Sequence, residues 1–202
     1  MQLPSLAAIR EERARRLGIR LRYSPHFPTE RQREFLRLED KEVLYGGAAG
    51  GGKTDALLMA ALQYADRPGY KAILFRRTFQ DLKLPEALIP RSKEWLTGQA
   101  RWNENDHQWT FEREGVPASQ AAVLVFGYLA TENDKYRYQG AAFDFIGFDE
   151  LTQFTESQYR YLFSRLRRAA DSDIPPRMRA ASNPGGVGHD WVRDRFGLYR
   201  PA

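Results

Sequence analysis

The string Gly47-x4-Gly52-Lys53-Thr54 constrains this chain more than any other feature, because of what flanks it. Before it runs a short β-rich apolar stretch, Val43-Leu44-Tyr45, and after it the helical run Asp55 to Tyr64. A glycine-rich turn between strand and helix lets successive backbone N–H groups point inward around a phosphate, and the helix start adds the positive end of its dipole. In that geometry Gly47, Ala48, Ala49, Gly50, Gly51 and Gly52 form the cradle, Lys53 reaches the β- and γ-phosphates, and the Thr54 hydroxyl binds Mg²⁺. The competing interpretation is a flexible linker. Linkers seldom carry Gly-Lys-Thr between a strand and a helix of buried character.

A chain of 202 residues with 42% apolar side chains is long enough for one substantial core. Its longest apolar run, Ala56 to Leu62, falls far short of a membrane span, and charges near the N-terminus stand where a signal peptide needs apolar residues. A soluble protein without a membrane partner is therefore expected. There is no cysteine, and His26, His107 and His189 show no metal-ligand spacing. Basic residues outnumber acidic ones by 31 to 26, and 25 of them are arginine, which suits forked contacts to phosphates or carboxylates. That balance favours acidic partners but is also common on solvated surfaces.

Residues 1–28 read as a basic N-terminal helix and linker, the helix ending near Gly18, and residues 29–202 as the phosphate-loop domain. Thr29 to Leu38 forms a short helix. After the loop helix, residues 71–77 (KAILFRR) read as a buried strand, giving a β-α-β unit whose parallel sheet carries the glycine loop at its carboxyl edge. Residues 80–98 are helix-prone but interrupted by Pro85 and Pro90. Strands are expected at 109–111 and 123–128, around a Gly-Val-Pro turn, and at 143–148 and 178–181. Over 155–168 the pattern predicts a capped helix with Tyr159, Leu162, Phe163 and Leu166 inward and Arg160, Arg167 and Arg168 facing DNA phosphates or water.

The run FDFIGFDE, residues 143–150, ends a mostly apolar strand in two carboxylates. Projected toward the ion held by Thr54, Asp149 would position its water shell, while Glu150 would orient or deprotonate the attacking water. The next strand ends in ASNPGG, residues 181–186, which places Ser182 and Asn183 where an adjacent strand meets the γ-phosphate. Asn183 there holds the lytic water or reports hydrolysis to a moving segment; Asn-Pro-Gly-Gly is equally an ordinary turn.

Together these motifs resemble the ATPase domain of the large terminase subunit of tailed bacteriophages. The likeness rests on GGAAGGGKT at 46–54, FDFIGFDE at 143–150, ASNPGG at 181–186, PTERQREF at 28–35 and KYRYQGAAFD at 135–144. It implies an α/β fold of the P-loop NTPase, RecA-like type, and ATP and Mg²⁺ as cofactors. It further implies a five-membered homo-oligomeric ring on the portal protein in the host cytoplasm. That ring would translocate double-stranded DNA selected by a small terminase subunit. By the same resemblance Gln32 contacts adenine, although Thr29-x-x-Gln32 is also a capping box. Arg137 matches an arginine that completes a neighbour's site, with Arg76, Arg77 and Arg165 as competitors. The basic residue that some large terminases carry within the loop is absent, since Ala48-Ala49-Gly50 stands there. The chain stops at Ala202, so no nuclease domain and no cutting activity are expected. Two rival functions share the motifs: a helicase-type ATPase that separates strands, and a nucleotide-dependent switch or scaffold that scarcely turns over. The Asp149-Glu150 pair speaks against the switch.

Overall fold

The computed structural model describes residues 5–47, 50–168 and 172–198. Helix α1 (Leu6–Arg16) starts at Ser5, whose Oγ accepts from Ala8 N, and stops at Gly18, which takes φ +72°. There Gly18 N bonds Arg15 O and Ile19 N bonds Ala14 O, the glycine-terminated ending that a β-carbon would disfavour. Ala14, Ile19, Leu21 and Tyr23 are buried in the same apolar cluster as the phosphate-loop helix. Helix α2 (Glu30–Arg37) follows, closed at its start by the Thr29–Gln32 capping box.

The remaining elements run β1 (Glu42–Gly46), α3 (Lys53–Leu62), β2 (Lys71–Arg76), α4 (Phe79–Lys83), α5 (Leu88–Leu96), β3 (Arg101–Asn103) and β4 (Gln108–Phe111). They continue through β5 (Ala122–Tyr128), β6 (Phe145–Asp149), α6 (Glu156–Phe163), β7 (Arg177–Ser182) and α7 (His189–Arg195). Among the described residues these strands make one seven-stranded sheet in the order β1-β7-β6-β2-β5-β4-β3. From β1 to β5 it is parallel, and the β5-β4-β3 end is antiparallel. Side-chain alternation sends Leu74, Leu124 and Phe145 toward α3, and Ile73, Ile146, Phe148 and Met178 toward α6 and α7. Helices on both faces explain why these strands are apolar throughout.

Several expectations are revised. The β1-α3-β2 unit is parallel, but β7 and β6 lie between its two strands. Pro90 does not break α5; it sits in the first turn, where a missing N–H leaves no gap in the ladder. Helix α6 stops at Phe163, so Leu166 lies off its face and bridges Phe143 instead, and Arg167 and Arg168 lie beyond the helix. Strand β3 is an addition to the expected set. Within the sheet Arg179 is buried, at 2% exposure, and donates to Leu38 O at 2.6 Å and Asp40 O at 2.9 Å. It thereby fastens the end of α2 to the start of β1, and burial lowers its pKa to about 10. No helix among the described residues is long and apolar enough to cross a membrane.

Candidate active site

Three neighbouring strands deliver the chemistry-bearing residues to one edge. The glycine loop leaves β1 at Gly46, which pairs with Ser182 at the end of β7, and Asp149 at the end of β6 pairs with Ala181. Ser182 and Asn183 thus stand between the loop and the Asp149-Glu150 pair. Ala48 and Ala49 lie outside the described residues. Gly52 takes φ +65°, and a β-carbon there would stand 2.6 Å from Gln32 Nε2. That close approach exists because Gln32 Nε2 donates to Gly52 O at 2.9 Å while its Oε1 accepts from Thr29 N at 2.9 Å. Gln32 is 3% exposed, so the amide braces the loop as well as capping its own helix.

Lys53 opens α3 and is 7% exposed, with Nζ donating to Gly47 O at 3.1 Å across the loop. Thr54 follows in the same first turn, half-buried. Helix α3 reaches this position because Gly147 of β6 has no side chain: a β-carbon there would be 2.4 Å from Leu74 Cδ2 and 3.2 Å from Leu57 Cδ1. The glycine of the FDFIGFDE strand therefore sets how closely helix and sheet approach.

Asp149 is 2% exposed, and its pKa is pushed up to about 6. Burial is the main cause; the Arg76 guanidinium opposes it, the Glu150 charge adds to it, and Lys53 opposes it again. Asp149 Oδ2 is buried without a hydrogen-bond partner among the described residues, and Arg76 Nε lies 3.3 Å from it, close enough for an ion pair but not aligned for a hydrogen bond. Glu150 occupies the left-handed region at φ 56°, ψ 57°, uncommon for a non-glycine residue. Its two carboxylate oxygens accept from Asn183 Nδ2 at 3.0 Å and Asn183 N at 3.3 Å.

This donor set fits a magnesium ion. Among the described residues no three His, Cys, Asp or Glu side chains cluster as a metal cage. An ion held by Thr54 and Asp149 would complete its shell with water and phosphate oxygens, the usual habit of Mg²⁺, and the unpartnered Oδ2 is an acceptor for such a water.

The family described as "Terminase large subunit, T4likevirus-type, N-terminal" matches residues 44–190, well over half of the chain. The chain belongs to that family. Among solved structures it is similar to the large terminase of a thermophilic bacteriophage, at 15% identity over 85% of this chain and a TM-score of 0.65. It is also similar to the ATPase domain of the Thermus phage P74-26 large terminase, at 15% identity over 90% of this chain and 92% of that one, TM-score 0.51. The HK97 bacteriophage large terminase aligns at 12% identity over 96% of this chain, TM-score 0.57. These likenesses establish the RecA-like α/β fold. The chain spans 44% of the thermophilic phage protein and 42% of the HK97 protein. No curated protein matches the sequence.

In this terminase domain the four arginines considered for a neighbour's site are dispersed. Arg137 sits in the 3₁₀ helix Glu132–Tyr138, its Nη2 2.5 Å from Asp134 Oδ1 and its guanidinium 4.5 Å from the Tyr128 ring. Tyr128 is on β5, four strands from β1 and so ~19 Å from that strand at ordinary strand spacing. Arg77 donates to Leu129 O at 2.8 Å, and Arg165 follows α6 beside Ser164 and Tyr161. Arg76 alone among the four lies against its own subunit's Asp149.

Sequence reasoning missed Thr152. Its N–H donates to Ser182 Oγ at 3.1 Å, and its carbonyl accepts from Gly188 N at 2.7 Å. Trp191 Nε1 donates to Phe154 O at 2.9 Å. The segment after Glu150 is thus strapped to β7 and α7, beside a cavity of about 550 Å³ lined by Gly46, Gly47, Thr152, Ser182, Asn183 and Val192. Nothing in the sequence marks Thr152, because its role depends on which strand lies beside β6.

Proposed function

We propose that this terminase domain hydrolyses ATP with Mg²⁺ and, assembled in a homo-oligomeric ring, drives double-stranded DNA into a procapsid in the host cytoplasm. The portal protein and a small terminase subunit are its partners. The observation that carries this reading is the convergence, at the ends of three adjacent parallel strands, of the glycine loop leaving β1, Ser182 and Asn183 ending β7, and Asp149 with the Asn183-held Glu150 ending β6. The thermophilic phage large terminase, which shares this fold, has been crystallised with ADP and with ATP-gamma-S.

In this mechanism the loop N–H groups and Lys53 grip the β- and γ-phosphates, and Lys53 neutralises charge gathering on the transferred phosphoryl group. Thr54 and Asp149 would hold a magnesium ion, which when bound would offset part of the same charge. Glu150 takes the proton of the attacking water at a carboxylate oxygen. Two N–H groups of Asn183, its backbone N and its Nδ2, hold the carboxylate and fix its direction. Withdrawing them frees the base, so Asn183 couples the state of the site to the Ser182-Thr152-α7 straps. Arg137, held beside Asp134 and Tyr128 and 45% exposed, completes the site of a neighbouring subunit.

Glu150→Gln tests the assignment. Turnover should fall at least about 10²-fold while a fluorescent ATP analogue still binds, measured at protein concentrations high enough for assembly. Normal turnover by that variant would sink the reading.

A further inference from the structure

Arg76 competes with three other arginines for a role in a neighbour's site, and its placement gives it another use. It ends β2, the strand beside β6, and the register Phe75↔Phe148 sets it next to Asp149. Alternation puts Arg76 on the side of Leu74 and Asp149 on the side of Phe145, both facing the α3 layer. With its side chain 17% exposed, Arg76 is poorly available to a second subunit, unlike Arg137 at 45%.

The geometry of the pair is unusual for arginine. Guanidinium and carboxylate commonly fork together through two parallel hydrogen bonds, which would fill the carboxylate lone pairs. Here Nε approaches Oδ2 at 3.3 Å, and among the described residues neither atom has a hydrogen-bond partner. Coulomb attraction therefore holds the buried carboxylate in place without consuming the oxygen that a metal-bound water needs.

We infer that Arg76 is a positioning residue that fixes Asp149 in its ion-facing orientation and so sets the magnesium requirement of nucleotide binding. This rests on the proposed function, in which Asp149 serves the ion. It also assigns a use to the cation end of β2, which the sequence motifs leave open.

The test is the binding of a fluorescent, non-hydrolysable ATP analogue to the full chain at graded Mg²⁺ concentrations. Arg76→Ala should raise the half-saturating Mg²⁺ about ten- to a hundredfold, with binding in EDTA unchanged and Arg76→Lys intermediate. An unchanged requirement, or a lower one, overturns the inference; the lower value is what a mere competitor of the ion would give. Thermal melts check the fold, and if Arg76→Ala is unfolded the same titration on Arg76→Gln decides. Asp149→Asn separates the two levels. If Asp149→Asn leaves the requirement unmoved, the reading of the site fails; if it raises the requirement and the Arg76 variants do not, only the role of Arg76 fails.

Discussion

The two ends of the sheet are built on different terms. At the β5-β4-β3 end, Trp109 is 2% exposed with Nε1 donating to Ser92 Oγ at 2.9 Å, and Trp102 packs against it at a ring separation of 5.1 Å. Charges there pair on the rim, as in Arg101–Glu112 and Lys93–Glu104. At the β1-β7-β6 end, Lys53, Asp149 and Ser182 are buried, Glu150 holds a left-handed backbone, and Asp149 Oδ2 lacks a hydrogen bond. Among the described residues the hairpin end has one departure of this kind, His107 in the β3–β4 turn at φ 49° with its buried Nδ1 unbonded, whereas the loop end gathers several within a few residues and among buried charges. Strain and unsatisfied charge persist only where the surroundings over-determine them, and they gather where a ligand is to be held. The hairpin end is thus a stabilising element and the loop end a site whose stability is partly sacrificed.

Trp109→Ala should separate the two most sharply. Removing this side chain opens a cavity and destabilises by about 3–5 kcal/mol, roughly 10 °C of Tm for a domain of this size. Turnover per folded molecule should stay the same. Urea melts alongside activity corrected for the folded fraction check both; a fall in corrected activity would show that the two ends are not independent.

The opposite behaviour is expected at Asp149. Its folded pKa of about 6 lies above the ordinary value of 3.8, so between the two the folded chain binds more protons than the unfolded one. The stability this group contributes is therefore complete below about pH 4 and is lost as pH rises through about 6. Asp149→Asn removes that loss, and without Mg²⁺ it should be more stable than the parent at about pH 7.5 by about 3 kcal/mol, converging with it near about pH 4. Thermal melts at several pH values in EDTA test this. A variant no more stable at neutral pH would mean that the acid is not strained by burial.

Much of this contrast is legible in the residues themselves. The glycine loop between strand and helix, the two acids ending an apolar strand, and the capping boxes at Thr29 and Thr155 are local patterns, and the fold forms each where the pattern stands. What escapes a reading of the sequence depends on distant pairing. Nothing local reveals that β7 and β6 enter between β1 and β2, and so nothing local places Arg76 beside Asp149 or Thr152 beside Ser182. Strand β3 has three residues, too few for alternation to register, and it exists because Trp102 finds Trp109 across the hairpin. The apolar period of α6 runs on to Leu166, yet the helix turns off after Phe163, where Ser164 Oγ bonds Tyr161 O. Spacing alone leaves Gln32 between cap and base contact; its second bond, to Gly52 O, requires α2 to lie against the loop, which no spacing rule conveys.

The smallest effect belongs to a pair that looks like Arg76–Asp149 on paper. Arg101 Nε lies 2.8 Å from Glu112 Oε1, shorter than the 3.3 Å of the buried pair, but these side chains are 59% and 61% exposed against 17% and 2%. Water and salt screen the exposed pair, and ordering two long side chains offsets most of the remaining attraction. A double-mutant cycle on Arg101 and Glu112 should give a coupling of about 0.2–1 kcal/mol, fading in about 1 M salt. A coupling well above that range and insensitive to salt would show that contact length, not burial, ranks the ion pairs of this domain, and the contrast between the two ends of the sheet would lose its electrostatic half.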